Sequence, residues 1–586
     1  MITPKNNQSL APLKPPSDRW MLNSLLLLFL WVILGMTLRF SNLALKPASS
    51  IEIATIGYSL GHGFNQIPLN QIVSLQTLLT PLSLDTSIGY IEVLNRLREE
   101  STHPPLYFWL THWWFNLWLP EGELVTLEMA RSLSAIFGTL AIPGSFMLAW
   151  VAFRSRLMAH FAAVLMALSP YGIYLAQEAR HYTLTVLWLI ASVICLIKTI
   201  KLIEQKATVP IWLGLVSIVI NALGIATHYF FVLALGAEAI ALLVFWWFNH
   251  PDQPLKYFRS LAFAGIGTLA AAVVWLPQIQ GISDNQMTTW IATSYELNEI
   301  LLPIARLLAW IITMLMLLPV EGTPTIVTII SGVIVLTVLM TIMPTLVRQW
   351  SKIFATIQTR SMMTMFSGYL LGSFILFLLL IYVMEKDISL AARYHFVYFP
   401  IVILLVAIAL ATCWHQGLGF VSNHSIWRRV LFNAQIRVVM VVLLLGIMGS
   451  LTVINDFGFQ KSQHSDRLAA HIQKNSALPT IIAMTHETHS EIRELTALAV
   501  SFERLDPKLA SSQLPRFILV NQQPTAAEFL ASDFAKTLKP VQQPFNLFGV
   551  NLDISDSNLK QLGCERDKAV DLPDSGYRDR FYVCSY

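Results

Sequence analysis

Charge is what this sequence has least of. Asp, Glu, Lys and Arg together make up 13% of its 586 residues, where a soluble globular chain carries about 25%. That scarcity excludes a soluble globular protein. The small net charge of +4 excludes the broad basic surface of a nucleic-acid binder. Cysteine is nearly as scarce, at four residues. Cys195 and Cys413 sit inside apolar runs and read as inert core. Cys564 and Cys584 lie in a polar tail, too few and too widely spaced for a zinc signature. They are free to pair if the tail lies outside the cytoplasm. A nucleotide-binding glycine loop, an internal repeat and a tight metal-ligand spacing are also missing. The acids and histidines thus define no dedicated metal site and no cofactor, although an external divalent ion held by Glu52 and a neighbouring carboxylate stays open.

What is present is apolar sequence, 55% of the chain with a mean hydropathy of +0.58. Apolar runs fall at roughly 20–40, 132–152, 157–176, 183–202, 210–227, 229–248, 260–279, 325–346, 364–384, 395–414 and 437–455. Each is near the ~20 residues that cross a bilayer. The first lacks a small-residue cleavage pattern and reads as an anchor. A further run at 299–319 is interrupted by Pro303, Arg306 and Pro319.

Lys and Arg cluster in alternate connections: Lys5, Lys14 and Arg19; Arg154 and Arg156; Lys198, Lys201 and Lys206; Lys256 and Arg259; Arg348, Lys352 and Arg360; Arg428, Arg429 and Arg437. The positive-inside rule places these in the cytoplasm. All of them stay there only if 299–319 is re-entrant or interfacial. The expectation is therefore eleven spans, N-terminus inside and C-terminus outside, with twelve spans as the alternative.

This divides the chain into a cytoplasmic tail 1–19, a transmembrane domain 20–455 and an external domain 456–586. The transmembrane domain carries an external loop, 41–131. Within that loop Leu106 to Leu119, with four tryptophans, predicts an interfacial amphipathic helix. In the tail, Pro479–Met484 and Arg516–Val520 predict strands, and Asp466–Lys474 and Thr525–Lys536 predict helices. The whole is an all-α polytopic membrane protein with a small α/β external domain.

On that topology, ionisable groups at the span ends converge on the external face. They include Glu52, His103, the run Gln177-Glu178-Ala179-Arg180-His181-Tyr182, His228-Tyr229 and Arg393-Tyr394. Such groups are costly at a membrane edge unless they pair or bind something. His103-Pro104-Pro105 opens a helix whose free N–H groups suit an anion. A guanidinium at Arg180 or Arg393 matches phosphate geometry. Read singly, each has an ordinary structural explanation: a helix start, a Glu178–Arg180 pair, a snorkelling Arg393, a packed His228.

In order along the chain stand Lys46, Glu52-x-x-Thr55, His103-Pro104-Pro105-Leu106-Tyr107, Arg131-x-x-Ser134, Gln177-Glu178-Ala179-Arg180-x-Tyr182, His228-Tyr229 and Arg393-Tyr394. This order resembles the protein-mannosyltransferase-like glycosyltransferases of the GT-C class, which include the bacterial lipid A aminoarabinose transferases. The resemblance covers roughly residues 20–455. It implies an inverting transfer from a polyprenyl-phosphate sugar to an acceptor of unspecified kind, at the outer face of a bacterial plasma membrane. It implies that Lys46, His103, Arg180 and Arg393 grip the donor phosphate. Tyr107, Gln177, Glu178, His181, Tyr182, His228, Tyr229 and Tyr394 would line the pocket.

The family's early Asp-Glu pair is here Ile51-Glu52. Isoleucine cannot take the acceptor's proton. Glu52 is then the candidate base, with Asp85 or Glu100 as replacements. The alternative is a non-catalytic relative that binds a lipid-linked sugar or scaffolds a partner. A transporter is disfavoured, because Glu238 is the single acid clearly inside a span.

Overall fold

A computed structural model describes residues 18–249, 254–277, 291–292, 295, 299–419, 433–475, 478–505, 514–522, 534–541, 543–567 and 574–585. Each of the eleven uninterrupted apolar runs overlaps a helix or a bent pair of helices among the described residues. Among the described residues eight helices are long and apolar enough to cross a membrane, or nine with the bent pair Arg156–Leu168 and Pro170–Ala176. Ile211–Thr227 and Tyr257–Val273 are shorter. The protein is a multi-pass membrane protein. The interrupted run forms the helix Leu302–Leu315 of 14 residues. At ~1.5 Å per residue it reaches only about 21 Å, short of a ~30 Å hydrocarbon core.

The bent pair positions the site. Pro170 has no N–H and its ring obstructs the preceding turn, so the helix ends at Leu168 and restarts 57° away. The break strands carbonyls in an apolar setting, and each finds a donor. Buried Arg39 donates to Met166 O at 2.8 Å and Ala167 O at 3.2 Å, and Ser450 Oγ donates to Leu168 O at 3.0 Å. Ser169 Oγ caps the new helix, accepting from Gly172 N at 3.0 Å. The chain then passes through a short buried turn, 177–181, into the next helix.

Among its described residues the tail carries five strands: β2 (Thr480–His486), β3 (Arg516–Asn521), β4 (Phe545–Val550), β5 (Cys564–Arg566) and β6 (Asp579–Cys584). The sixth, β1 (Ile72–Val73), comes from the loop after the first span and pairs antiparallel with β3. The order is β1-β3-β2-β4-β6-β5, with β3, β2 and β4 parallel. Strands β2 and β4 are buried almost throughout, as covered parallel strands should be. Leu75, Leu78, Leu495, Leu498 and Phe502 share one core, so loop and tail fold as one body.

The predicted strands and the helix Ser465–Lys474 form where expected. Residues 525–533 of the other predicted helix lie outside the described residues. Cys564 and Cys584 form a disulfide at paired positions of β5 and β6. With a separation of 20 residues, its loss is expected to cost about 3 kcal/mol. Cys564→Ser with Cys584→Ser should make residues 543–585 more sensitive to limited proteolysis. Unchanged cleavage rates would show that the bond contributes nothing.

Candidate active site

Two helices present polar side chains three residues apart, hence on one face each. From the helix Ser50–Ser59 come Glu52 and Thr55; from Leu127–Phe153 come Arg131 and Ser134. Arg131 grips Glu52 with both arms of its fork, Nε to Oε1 at 2.8 Å and Nη2 to Oε2 at 2.9 Å. Its remaining N–H groups donate to the carbonyls of Leu43, Lys46 and Pro47 at 2.9, 2.9 and 3.0 Å. Glu52 also accepts from Ala179 N at 3.0 Å and from Ser49 N at 3.2 Å. Burial alone would raise its pKa. Arg131, Lys461 and the Ala179 N–H outweigh that and hold the carboxyl well below its usual range.

The second pair holds Arg180. Ser134 Oγ accepts from Arg180 N at 3.3 Å and donates to Arg180 O at 2.8 Å, so the backbone there is locked. The guanidinium donates to Thr55 Oγ1 at 2.9 Å and meets His103 Nε2 at 2.8 Å. A guanidinium has no acceptor, so Nε2 must carry the lone pair and His103 is neutral. Burial, then the charge of Arg180, keep its pKa well below the ordinary histidine value. His228 Nδ1 accepts from Phe230 N at 2.9 Å, which leaves Nε2 as a donor. Burial, then Arg180 and Arg393, push its pKa down to about 3.

These groups border a cavity of about 1050 Å³ between the membrane helices and the tail. Part of its lining is apolar: Tyr229, Phe230, Trp310, Leu380 and Leu390. The rest includes the polar groups Arg180, Arg393, His103, Glu178 and Lys461. The tail supplies a roof of Thr488, Ser490, Glu491 and Arg493. Phe459, on the linker into the tail, stacks on Tyr174 at 4.4 Å between ring centres and on Trp310 at 6.0 Å.

Of the residues expected from the sequence, His103, Glu178, Arg180, Tyr182, His228, Tyr229, Arg393 and Tyr394 line this cavity. The others do not. Glu52 is fully buried among its partners. Lys46 donates to Gly458 O and Phe459 O, both at 3.2 Å, so its ammonium secures the linker. Tyr107 bonds Ser134 at 2.7 Å, Gln177 donates to Ser41 O at 2.9 Å, and His181 is buried among His103, Tyr182 and His228. The replacement acids fall elsewhere too: Asp85 accepts from Ser87 in an exposed turn, and Glu100 accepts from Phe64 N. Ile51 lines the cavity.

Sequence reasoning missed Arg131's partnership, Lys461, Phe459, Trp310 and Arg493. One local signal was available: Ser49-x-x-Glu52 is the pattern in which a glutamate serves its own helix start. Nothing local marks Lys461, 409 residues from Glu52 in the chain.

A cavity at one end of many membrane helices, under a small C-terminal domain, is an arrangement that recurs in solved membrane-protein structures. Two solved structures match it over nearly the full length. They are ArnT from Cupriavidus metallidurans bound to undecaprenyl phosphate (11% identity, TM-score 0.50) and the same protein in the apo state (12%, 0.51). Each covers 97% of this chain and 98% of that one. The Archaeoglobus fulgidus oligosaccharyltransferase tethered with an acceptor peptide is similar over 91% of this chain and 69% of its own, at 11% identity and a TM-score of 0.50. No sequence family matches, and no curated protein sequence does either.

Proposed function

We propose that this protein is an inverting glycosyltransferase that moves a sugar from a polyprenyl-phosphate donor to an acceptor hydroxyl at the external face of a bacterial plasma membrane. The observation that carries this reading is the mixed lining of the cavity: apolar side chains suited to a polyprenyl chain share it with two arginines suited to its phosphate. The N-terminus would then be cytoplasmic and the tail external, where its disulfide would persist. ArnT holds undecaprenyl phosphate in the same fold, and the proposed donor carries that chemical group.

In this reading Arg180 and Arg393 receive the charge that develops on the leaving phosphate. His103 and Thr55 aim Arg180 rather than touching the donor. Glu52, with every near neighbour donating to it, organises the site and is not the base. That role passes to Glu178: Lys461 holds its Oε1, and its buried Oε2 has no partner. The acceptor hydroxyl gives its proton to this carboxylate and its oxygen attacks the anomeric carbon. The sugar–phosphate bond breaks, with the electron pair going to phosphate.

A binding-only reading draws on Ile51, an apolar residue in the cavity wall where the resembled family has its acid. The test is binding of a polyprenyl-phosphate sugar to protein in nanodiscs, with transfer measured in parallel. Arg180→Ala should weaken donor binding about 10- to 100-fold, the value of charge-assisted hydrogen bonds. Binding without transfer would favour the second reading. Neither binding nor transfer, in wild type, would remove both.

A further inference from the structure

Lys461 lies where two carboxylates converge. Its Nζ is 3.2 Å from Glu52 Oε2 and 2.5 Å from Glu178 Oε1, and its side chain is 7% exposed. Glu52, Glu178, Arg131 and Lys461 balance in charge. Without Lys461, Glu52 would keep Arg131, but Glu178 would lose the hydrogen bond to its Oε1. Glu178 is 4% exposed and its Oε2 already lacks a partner. Two carboxylates that share a charge can seat a divalent cation such as magnesium, which binds one or two carboxylates and keeps several waters. Here an ammonium occupies that seat.

The ammonium is delivered by the fold. Lys461 sits between the last apolar helix, Ala434–Ile454, and the first helix of the tail, Ser465–Lys474. Two residues before it, Phe459 is stacked on Tyr174 and its carbonyl is held by Lys46. The linker is therefore clamped on both sides of its chain, and the charge arrives with the docking of the tail.

We infer that Lys461 is a tethered cation that takes the place of a divalent metal ion between Glu52 and Glu178, orienting Glu178 toward the cavity and making the site independent of metal. Lys461 is a positioning residue in this scheme. The inference concerns the charge at this seat and holds whether or not a sugar is transferred.

Thermal unfolding of the full-length protein in nanodiscs tests it. Calcium, manganese and ethylammonium chlorides are compared with tetramethylammonium chloride, which has no N–H to donate, at one ionic strength. The wild-type midpoint should respond to none of them. Lys461→Ala should melt lower and recover saturably with calcium, manganese or ethylammonium, but not with tetramethylammonium. Adding Glu178→Gln to that variant should abolish the response. If Lys461→Ala does not fold, the charge-balanced Glu178→Gln/Lys461→Ala variant should, and its failure would count against the inference. A wild type stabilised by calcium in a manner lost with Glu178→Gln would overturn it. So would a folded Lys461→Ala that ignores all the cations.

Discussion

Glu178→Gln is expected to lower sugar transfer by roughly 10²- to 10⁴-fold, the usual contribution of a general base, while donor affinity stays within about threefold. The replacement conserves shape. A glutamine carbonyl can still accept from Lys461, which donates to Oε1 at 2.5 Å in the native site, so the wall of the cavity should stay in place. What is lost is the capacity to take a proton. Transfer of labelled sugar in native membranes and donor binding in nanodiscs, measured on the same variant, separate the two roles. A parallel fall in both would make Glu178 a binding residue. Undiminished transfer would return the search for a base to the other acids of the cavity. Those are already engaged: Glu321 accepts from Gln460 N, Glu491 accepts from Thr488 N at 2.6 Å and Thr488 Oγ1 at 2.9 Å at a helix start, and Glu494 accepts from Asn551 Nδ2 at 3.5 Å.

The second large effect concerns folding. Arg131 and Glu52 are both fully buried, with relative exposures of 0%, and Arg131 has all its N–H groups engaged. Arg131→Met removes two bonds from Glu52 and one each from the carbonyls of Leu43, Lys46 and Pro47. Breaking a buried pair from one side costs about 3–5 kcal/mol, against a typical total stability of about 5–15 kcal/mol. The variant should accumulate poorly and melt far below wild type. Arg131→Lys should rescue little, since an ammonium cannot fork.

In the double variant Glu52→Gln/Arg131→Met the loss should be smaller than the sum of the single losses, because the two residues are in contact. Additive losses would show that the pair is not coupled. The pH dependence follows from the direction of the Glu52 shift. A carboxyl with its folded pKa held below the unfolded value contributes stability that is complete above that unfolded value. The contribution is lost as pH falls through the folded one. Wild type should therefore lose stability on acidification below about pH 4.5, and Arg131→Met should show a flatter acid limb.

The transmembrane architecture was legible from sequence because hydropathy is local. A run of apolar residues such as 325–346 must be helical in lipid whatever its neighbours are, and it lies on the helix Thr325–Ala355. The strands Thr480–His486 and Arg516–Asn521 were legible for a similar reason, as short apolar runs between polar breaks. β4 and β6 were missed, as was the helix His489–Leu505. The helix did carry a signal, with Ile492, Leu495, Ala499 and Phe502 at helical spacing on its buried face; the short β4 and β6 take their state from packing in the sheet.

For the site, the sequence determined which residue types gather at the span ends: Arg180, Arg393, His103, His228 and Glu178 all border the cavity. Tertiary structure alone decided what each of them touches. Glu52 reads as a candidate base in one dimension and is a saturated structural carboxylate in three. Lys46 reads as a phosphate ligand and is a clamp on a linker 412 residues later. The physical reason is that a polar group's role depends on which donors and acceptors reach within about 3 Å of it. For Glu52 one of those, Ser49, is a sequence neighbour, while Arg131, Ala179 and Lys461 are brought beside it only by folding.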